Sequence, residues 1–196
     1  MKILVTGGAG FIGSNFIRLL INNSDYEVVN IDRLTYAGNL NNLRDIENNK
    51  RYKFIKGDIC NPEDVKEAVK DCSIIVNFAA ESHVDRSIND PSSFIKTDIF
   101  GAFTLLEEAR KNNLTFCQVS TDECYGQILE GSFTETSPLM PRNPYSASKT
   151  GADRLTYSYF STYGLKVIIT RSSNNFGPFQ YPEKVIPLFI TNLIEG

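Results

Sequence analysis

The stretch Lys2-Ile3-Leu4-Val5-Thr6-Gly7-Gly8-Ala9-Gly10-Phe11-Ile12-Gly13 decides the fold. A short β-branched run leads into a glycine triplet, and an amphipathic helical pattern begins at Phe11. The spacing satisfies G-x-G-x-x-G from Gly8 and G-x-x-G-x-x-G from Gly7. Gly7, Gly10 and Gly13 permit a tight turn and bring backbone N–H groups to the helix N-terminus, where the dipole favours a pyrophosphate. Glycines alone are a weak sign. Strand before, helix after and an acidic residue about 20 positions on make it a dinucleotide fingerprint.

That acidic residue is Asp32, at the end of the second predicted strand. A carboxylate there accepts from a ribose 2′-hydroxyl and repels a 2′-phosphate, which favours NAD over NADP. Arg33 leaves the other reading open, because an arginine can hold that phosphate. Gly57-Asp58-Ile59 closes the third strand, where Asp58 either bonds an adenine edge or serves as a turn residue.

Outward from the fingerprint, short apolar runs alternate with longer amphipathic ones. Strands are expected at 2–6, 27–31, 52–56, 74–79, 115–120 and 166–171, and helices at 11–22, 62–70, 93–112, 144–163 and 184–194. Runs such as Ile74-Ile75-Val76 suit a sheet covered on both faces. The rhythm predicts an α/β fold, a doubly wound parallel sheet of Rossmann type with helices on both faces. Segments 32–49, 127–142 and 172–183 break the rhythm. Each follows a strand, at the edge where ligands sit in such sheets.

Composition narrows the function. The 196 residues suffice for one well-buried core, with the start of a second domain. Hydrophobic content of 41% and 22% charged residues are ordinary for a soluble protein. A net charge of −3 offers no basic face for a phosphate backbone, so no nucleic acid partner is expected. No apolar run approaches the roughly 20 residues that span a bilayer, so no membrane partner is expected either. Cys60, Cys72, Cys117 and Cys124 lack C-x-x-C spacing and His83 is the one histidine, so no metal is expected. Reduced thiols and no signal-peptide pattern lead to the expectation of a cytoplasmic protein.

The chemistry is concentrated in Ser120-Thr121-Asp122-Glu123-Cys124-Tyr125-Gly126 and Tyr145-Ser146-Ala147-Ser148-Lys149. Tyr145 and Lys149 stand one helical turn apart and share a face. A phenol with an ordinary pKa near 10 is a poor base. The ammonium of Lys149 and the positive nicotinamide are expected to lower it. Thr121 is expected to bond the same sugar oxygen as Tyr145. Asp122 and Glu123 are either a solvated turn or, beside a hydride-transfer site, an acid and a base in opposite protonation states.

Together with Asp32–Asn39 (DRLTYAGN), Phe78–Ile88 (FAAESHVDRSI), Tyr145–Leu155 (YSASKTGADRL) and Ser173–Pro187 (SNNFGPFQYPEKVIP), these motifs cover nearly the whole chain. The sequence resembles the extended short-chain dehydrogenase/reductase family and, within it, the dTDP-glucose 4,6-dehydratases. Thr-Asp-Glu in place of the epimerases' small residues is the discriminating piece. The resemblance implies an NAD-dependent lyase acting on dTDP-glucose. Tyr145, Thr121 and Lys149 would serve C4 oxidation, Glu123 would take the C5 proton, and Asp122 would protonate the leaving C6 hydroxyl.

By the same resemblance Gly7, Gly10, Phe11, Ile12, Gly13, Asp32, Arg33, Leu34, Thr35, Asp58, Ile59, Phe78, Ala79, Ala80, Thr97, Tyr145, Lys149 and Asn175 would line NAD. Ser82, Thr121, Asn174, Lys184 and Val185 would touch the sugar nucleotide. His83 falls near the sugar, where a satisfied structural histidine is an equal reading. Arg171-Ser172 and Cys124 depart from the family pattern and read as packing changes. Residues 1–171 would be the NAD-binding domain and 172–196 the beginning of a substrate-binding domain, in a chain that stops short of family length. A homodimer through the helices at 93–112 and 144–163 is implied, although Phe103, Leu105, Leu106, Leu155 and Tyr159 suit packing on the sheet equally.

Overall fold

The computed structural model describes residues 1–196. Six strands form one parallel sheet: β1 (Lys2–Thr6), β2 (Glu27–Asp32), β3 (Tyr52–Lys56), β4 (Ile74–Asn77), β5 (Thr115–Thr121) and β6 (Val167–Ser172). Their spatial order is β3-β2-β1-β4-β5-β6, so the winding reverses between β1 and β4. That reversal opens a crevice at the carboxyl edge. The expected α/β doubly wound sheet is what forms.

Alternation along the strands builds the two covered faces. Leu4, Val29, Ile31, Ile75 and Phe116 point to one side. There they meet α2 (Pro62–Ala68), α5 (Gly101–Lys111) and Tyr159 of α6 (Pro144–Tyr163). Ile3, Val5, Val28 and Val76 point the other way, onto Ile17 and Ile21 of α1 (Phe11–Asn23). Leu105, Leu106 and Tyr159 therefore face the sheet, whereas Phe103 stays exposed. Within the sheet a polar ladder runs from Thr6 through Asn77 to Gln118, with hydrogen bonds of 2.6 and 2.9 Å. It satisfies buried amides and fixes the register of β1, β4 and β5 just below the crevice.

Several boundaries differ from expectation. The strand at 74–79 ends at Asn77, because the chain must bend over the glycine loop. The expected helix at 93–112 is divided. After α3 (Val84–Asn89) and α4 (Pro91–Phe94), a π-helical segment covers Ile95–Phe100 before α5 begins. The wider turn places Thr97 at the crevice and buries Asp98. Helix α3 was not anticipated, since its single turn and a half is too short for a periodic signal. The last helix, α7 (Val185–Glu195), starts one residue late and buries none of its side chains. No helix is long and apolar enough to cross a membrane.

Candidate active site

The turn from β1 to α1 is built so that side chains cannot intervene. Gly7 adopts φ +67 and a Cβ there would lie 2.7 Å from Ala79 Cα. A Cβ on Gly13 would lie 2.5 Å from the Gly7 carbonyl oxygen. Helix α1 has Gly10 at its N-cap, no side-chain cap and no acidic residue in its first turn. Its first N–H groups are thus left for an anion. These residues fit the pyrophosphate of a dinucleotide.

Asp32 sits at the tip of β2, accepting from Ala9 N–H at 2.9 Å and from Leu34 N–H at 2.8 Å. Burial raises its pKa, opposed by those two donors and by Arg33. Arg33, beside it, is engaged by two other carboxylates. Its guanidinium pairs with Asp58 at 3.0 Å and Glu81 at 3.2 Å. Asp58 is held below the ordinary carboxylate range: burial acts against this, and the Cys60 N–H and Arg33 outweigh it.

The cleft at the sheet's switch point measures about 360 Å³ and runs from Gly7 to the acidic turn. Its walls contain Gly7, Gly10, Phe11, Ile12, Gly13, Asp32, Arg33, Thr35, Asp58, Ile59, Phe78, Ala79, Ala80, Thr97 and Asn175 of the expected cofactor set. They also contain Thr121, Asp122, Glu123, Tyr145, Lys149, Ser82, Asn174 and Lys184. Two expected residues are not among them. Leu34 takes φ +59 in the turn that caps Asp32, which carries its side chain off the wall. Val185, at the start of α7, is 62% exposed.

Three elements converge on the chemical end. Strand β5 ends in Thr121, whose hydroxyl accepts from Glu123 N–H at 3.2 Å and winds Asp122–Tyr125 into a 3-10 turn. Asn143 caps α6, accepting from Ser146 N–H at 2.8 Å, with Pro144 in the first turn. The same amide donates to Glu123 Oε2 at 3.3 Å. Tyr145 follows in the first turn, close enough to feel the charge of Glu123.

The expected lowering of the Tyr145 pKa is not found in the chain by itself. Burial, then the charges of Glu123 and Asp98, push the phenol well above its ordinary range, and the Thr121 hydroxyl only partly offsets them. Lys149 makes no hydrogen bond to the phenol: its Nζ donates to the Val119 carbonyl at 2.8 Å. Burial lowers the lysine's own pKa, with Asp98 opposing. Asp98 is the charge that the sequence did not reveal. It is 2% exposed, accepts from Glu81 N–H at 2.9 Å and Ser148 Oγ at 2.6 Å, and its pKa is pushed up to about 6, chiefly by burial.

The loop after β6 closes the outer side. Arg86 stacks 3.7 Å above the Tyr36 ring and pairs with Glu183 at 2.9 Å. Tyr181 meets Tyr36 edge-on, and the Tyr36 hydroxyl donates to the Ser82 carbonyl at 3.0 Å. Glu81, Gln180, Tyr181 and Glu183 line the cleft without having been expected there. His83 lines it too, at φ +89, and its buried Nδ1 has no hydrogen-bond partner, contrary to a satisfied structural ring. Arg171 is also more than a packing change, since it forks onto buried Asp153.

Residues 4–196 match the family model for GDP-mannose 4,6 dehydratase. The chain is 54% identical to the low-salt glycan biosynthesis protein Agl12 of Haloferax volcanii, covering all of this chain and 64% of that one. It is 48% identical to the dTDP-glucose 4,6-dehydratase of Streptomyces niveus, covering all of this chain and 60% of that one. Among solved structures it matches DesIV, the dTDP-glucose 4,6-dehydratase of Streptomyces venezuelae with NAD and TYD bound. That match has a TM-score of 0.97 at 50% identity, over 100% of this chain and 63% of that one. The chain spans about 60% of the length of the curated relatives it matches. The family resemblance drawn from the motifs therefore holds over the whole chain.

Proposed function

The chain belongs to the GDP-mannose 4,6 dehydratase family, and on that premise we propose that it carries the chemical centre of an NAD-dependent dTDP-glucose 4,6-dehydratase. The observation that carries this reading is the pair Asp122–Glu123 in the same cleft as Tyr145, Lys149 and the glycine turn. Epimerisation at C4 needs no acid and base at C5 and C6, so the pair favours dehydration over that alternative. The names of the dehydratase relatives support the sugar nucleotide, and the NAD-bound neighbour supports the cofactor.

When bound, NAD would supply the acceptor for the C4 hydride and the source of the hydride that C6 receives. The chain's own groups handle the protons. Tyr145 removes the C4 hydroxyl proton while Thr121 holds that oxygen, and Lys149 anchors the helix face beneath. The 4-ketone acidifies the C5 hydrogen, which Glu123 takes as a proton. Asp122 serves as the acid that delivers a proton to the C6 hydroxyl, which departs as water. As the hydride returns to C6, Glu123 gives its proton back to C5, and the product is dTDP-4-keto-6-deoxy-glucose. Ser82, Asn174 and Lys184 are assigned to the sugar nucleotide, and Asp32 to the ribose.

The same reading assigns residues 1–171 to the cofactor domain and 172–196 to the beginning of a substrate-binding part. It places the protein in the cytoplasm, in keeping with four unpaired thiols. A homodimer is part of it, supported by the exposed Ile95, Phe100, Phe103 and Phe160 on the outer faces of the two long helical stretches. Incubation with dTDP-glucose should yield the alkali-revealed 4-keto chromophore. Glu123→Gln should keep NAD bound yet stop exchange of the C5 hydrogen with solvent. Full exchange in that variant would remove the role, and sedimentation of the NAD-loaded protein checks the dimer.

A further inference from the structure

We propose that Arg171 is a positioning residue for the water-loss half of the reaction, fastening the Asp122–Tyr125 turn to the helix that carries Tyr145 and Lys149. The inference rests on the dehydratase reading above. Asp153 lies one turn beyond Lys149 on α6 and is fully buried. Arg171, near the end of β6, grips it bidentately, Nε to Oδ2 at 2.7 Å and Nη2 to Oδ1 at 2.9 Å. The remaining nitrogen, Nη1, donates to the Tyr125 hydroxyl at 2.7 Å. Tyr125 is the last residue of the turn that begins at Asp122. One planar guanidinium thus joins helix, strand and acidic turn, and the strand register seats Arg171 directly opposite Ser120.

The tie is directional rather than merely adhesive. Tyr125 already stacks on Phe133 with ring centroids 5.1 Å apart, which holds the ring. The hydroxyl bond adds a fixed height for the turn relative to α6. Asp153 keeps a second cation, Arg154 at 2.6 Å, so loosening Arg171 does not strand a bare buried charge. The fork geometry is specific to arginine, because a lysine offers a point charge and cannot hold carboxylate and phenol together in one plane. Neither Arg171 nor Tyr125 lines the cleft. Displacement of reacting groups by about 1 Å costs on the order of 100-fold in rate, so a turn that floats would harm elimination before it harms C4 oxidation.

The test uses NAD-loaded protein carrying Tyr125→Phe, Arg171→Lys or both. In a single turnover with dTDP-glucose, Tyr125→Phe should leave C4 oxidation within about 2-fold while water loss slows by roughly 10-fold or more. The double variant should be no slower than Arg171→Lys alone, since the two act as one unit. Equal slowing of both halves, or multiplication of the single effects, overturns the proposal. A wild-type protein that never oxidises C4 overturns the dehydratase reading instead. Amide hydrogen exchange reads the tie without turnover: Glu123 and Gly126 should exchange roughly 10-fold faster in Tyr125→Phe while the amides of β1 and β4 keep their rates. Unchanged exchange in the turn also overturns it.

Discussion

Asn143 and Glu123 are joined by a hydrogen bond of 3.3 Å, so the cap of the tyrosine helix also holds the carboxylate assigned as C5 base. One amide thus positions both the helix start and the carboxylate. Asn143→Asp keeps the cap, because aspartate caps as well as asparagine, but replaces the donor with a like charge. The C5 hydrogen exchange rate at neutral pH should fall roughly 10-fold, a change of about 1.4 kcal/mol, with little change in melting temperature. Asn143→Ala should also lose about 1 kcal/mol of stability, read as a melting point lower by about 2–4 °C.

Asp32, assigned above to the ribose, is also part of the scaffold, since its oxygens accept from Ala9 and Leu34 N–H groups. Asp32→Ala should weaken NAD by about 1–3 kcal/mol, measured by calorimetric titration. NADP should remain weak in that variant, because Asp58 and Glu81 occupy Arg33. Tighter binding of NADP than NAD by the unaltered protein would contradict this account.

Asp98 makes stability depend on pH. Its folded pKa of about 6 lies above the ordinary 3.8, so the folded state binds the extra proton between those values. The group's contribution is present in full below the ordinary value and is lost as pH rises through about 6. At about 1.4 kcal/mol per pK unit, the loss is on the order of 3 kcal/mol. Asp98→Asn should flatten this part of the curve in denaturant titrations over that range. An unchanged pH profile would remove Asp98 as its source.

Tyr145 should titrate above the ordinary tyrosine range in the absence of cofactor, because burial, Glu123 and Asp98 all disfavour the phenolate. Bound NAD places a positive ring nearby and should bring the value down. The difference in near-ultraviolet absorbance between wild type and Tyr145→Phe, recorded with and without NAD, checks both halves. A phenolate already formed near neutral pH without NAD would contradict the geometry.

The glycine fingerprint, the strand rhythm and the spacing of Tyr145 and Lys149 were legible because each is a local pattern. That Leu34 and Val185 stand off the cleft wall was not legible, for the opposite reason: which way a loop residue or a first helical residue points depends on the partners of its neighbours. Asp98 left no signal, since it sits where the π-helical segment breaks the periodicity that a helix reading relies on. Arg171 and Asp153 are 18 positions apart, and nothing in either segment announces that they meet. The Asn-Pro pair at 143–144 does mark a helix start, and it was the one available hint of the amide that reaches Glu123.

Helix α7 carries Val185, Phe189, Ile190, Leu193 and Ile194 facing water, with Leu193 84% exposed. A surface of this kind gives the 196-residue chain a colloidal character of its own. Excluded salts such as sulfate strengthen apolar association, so they should drive clustering through this helix. A mild detergent should disperse the clusters.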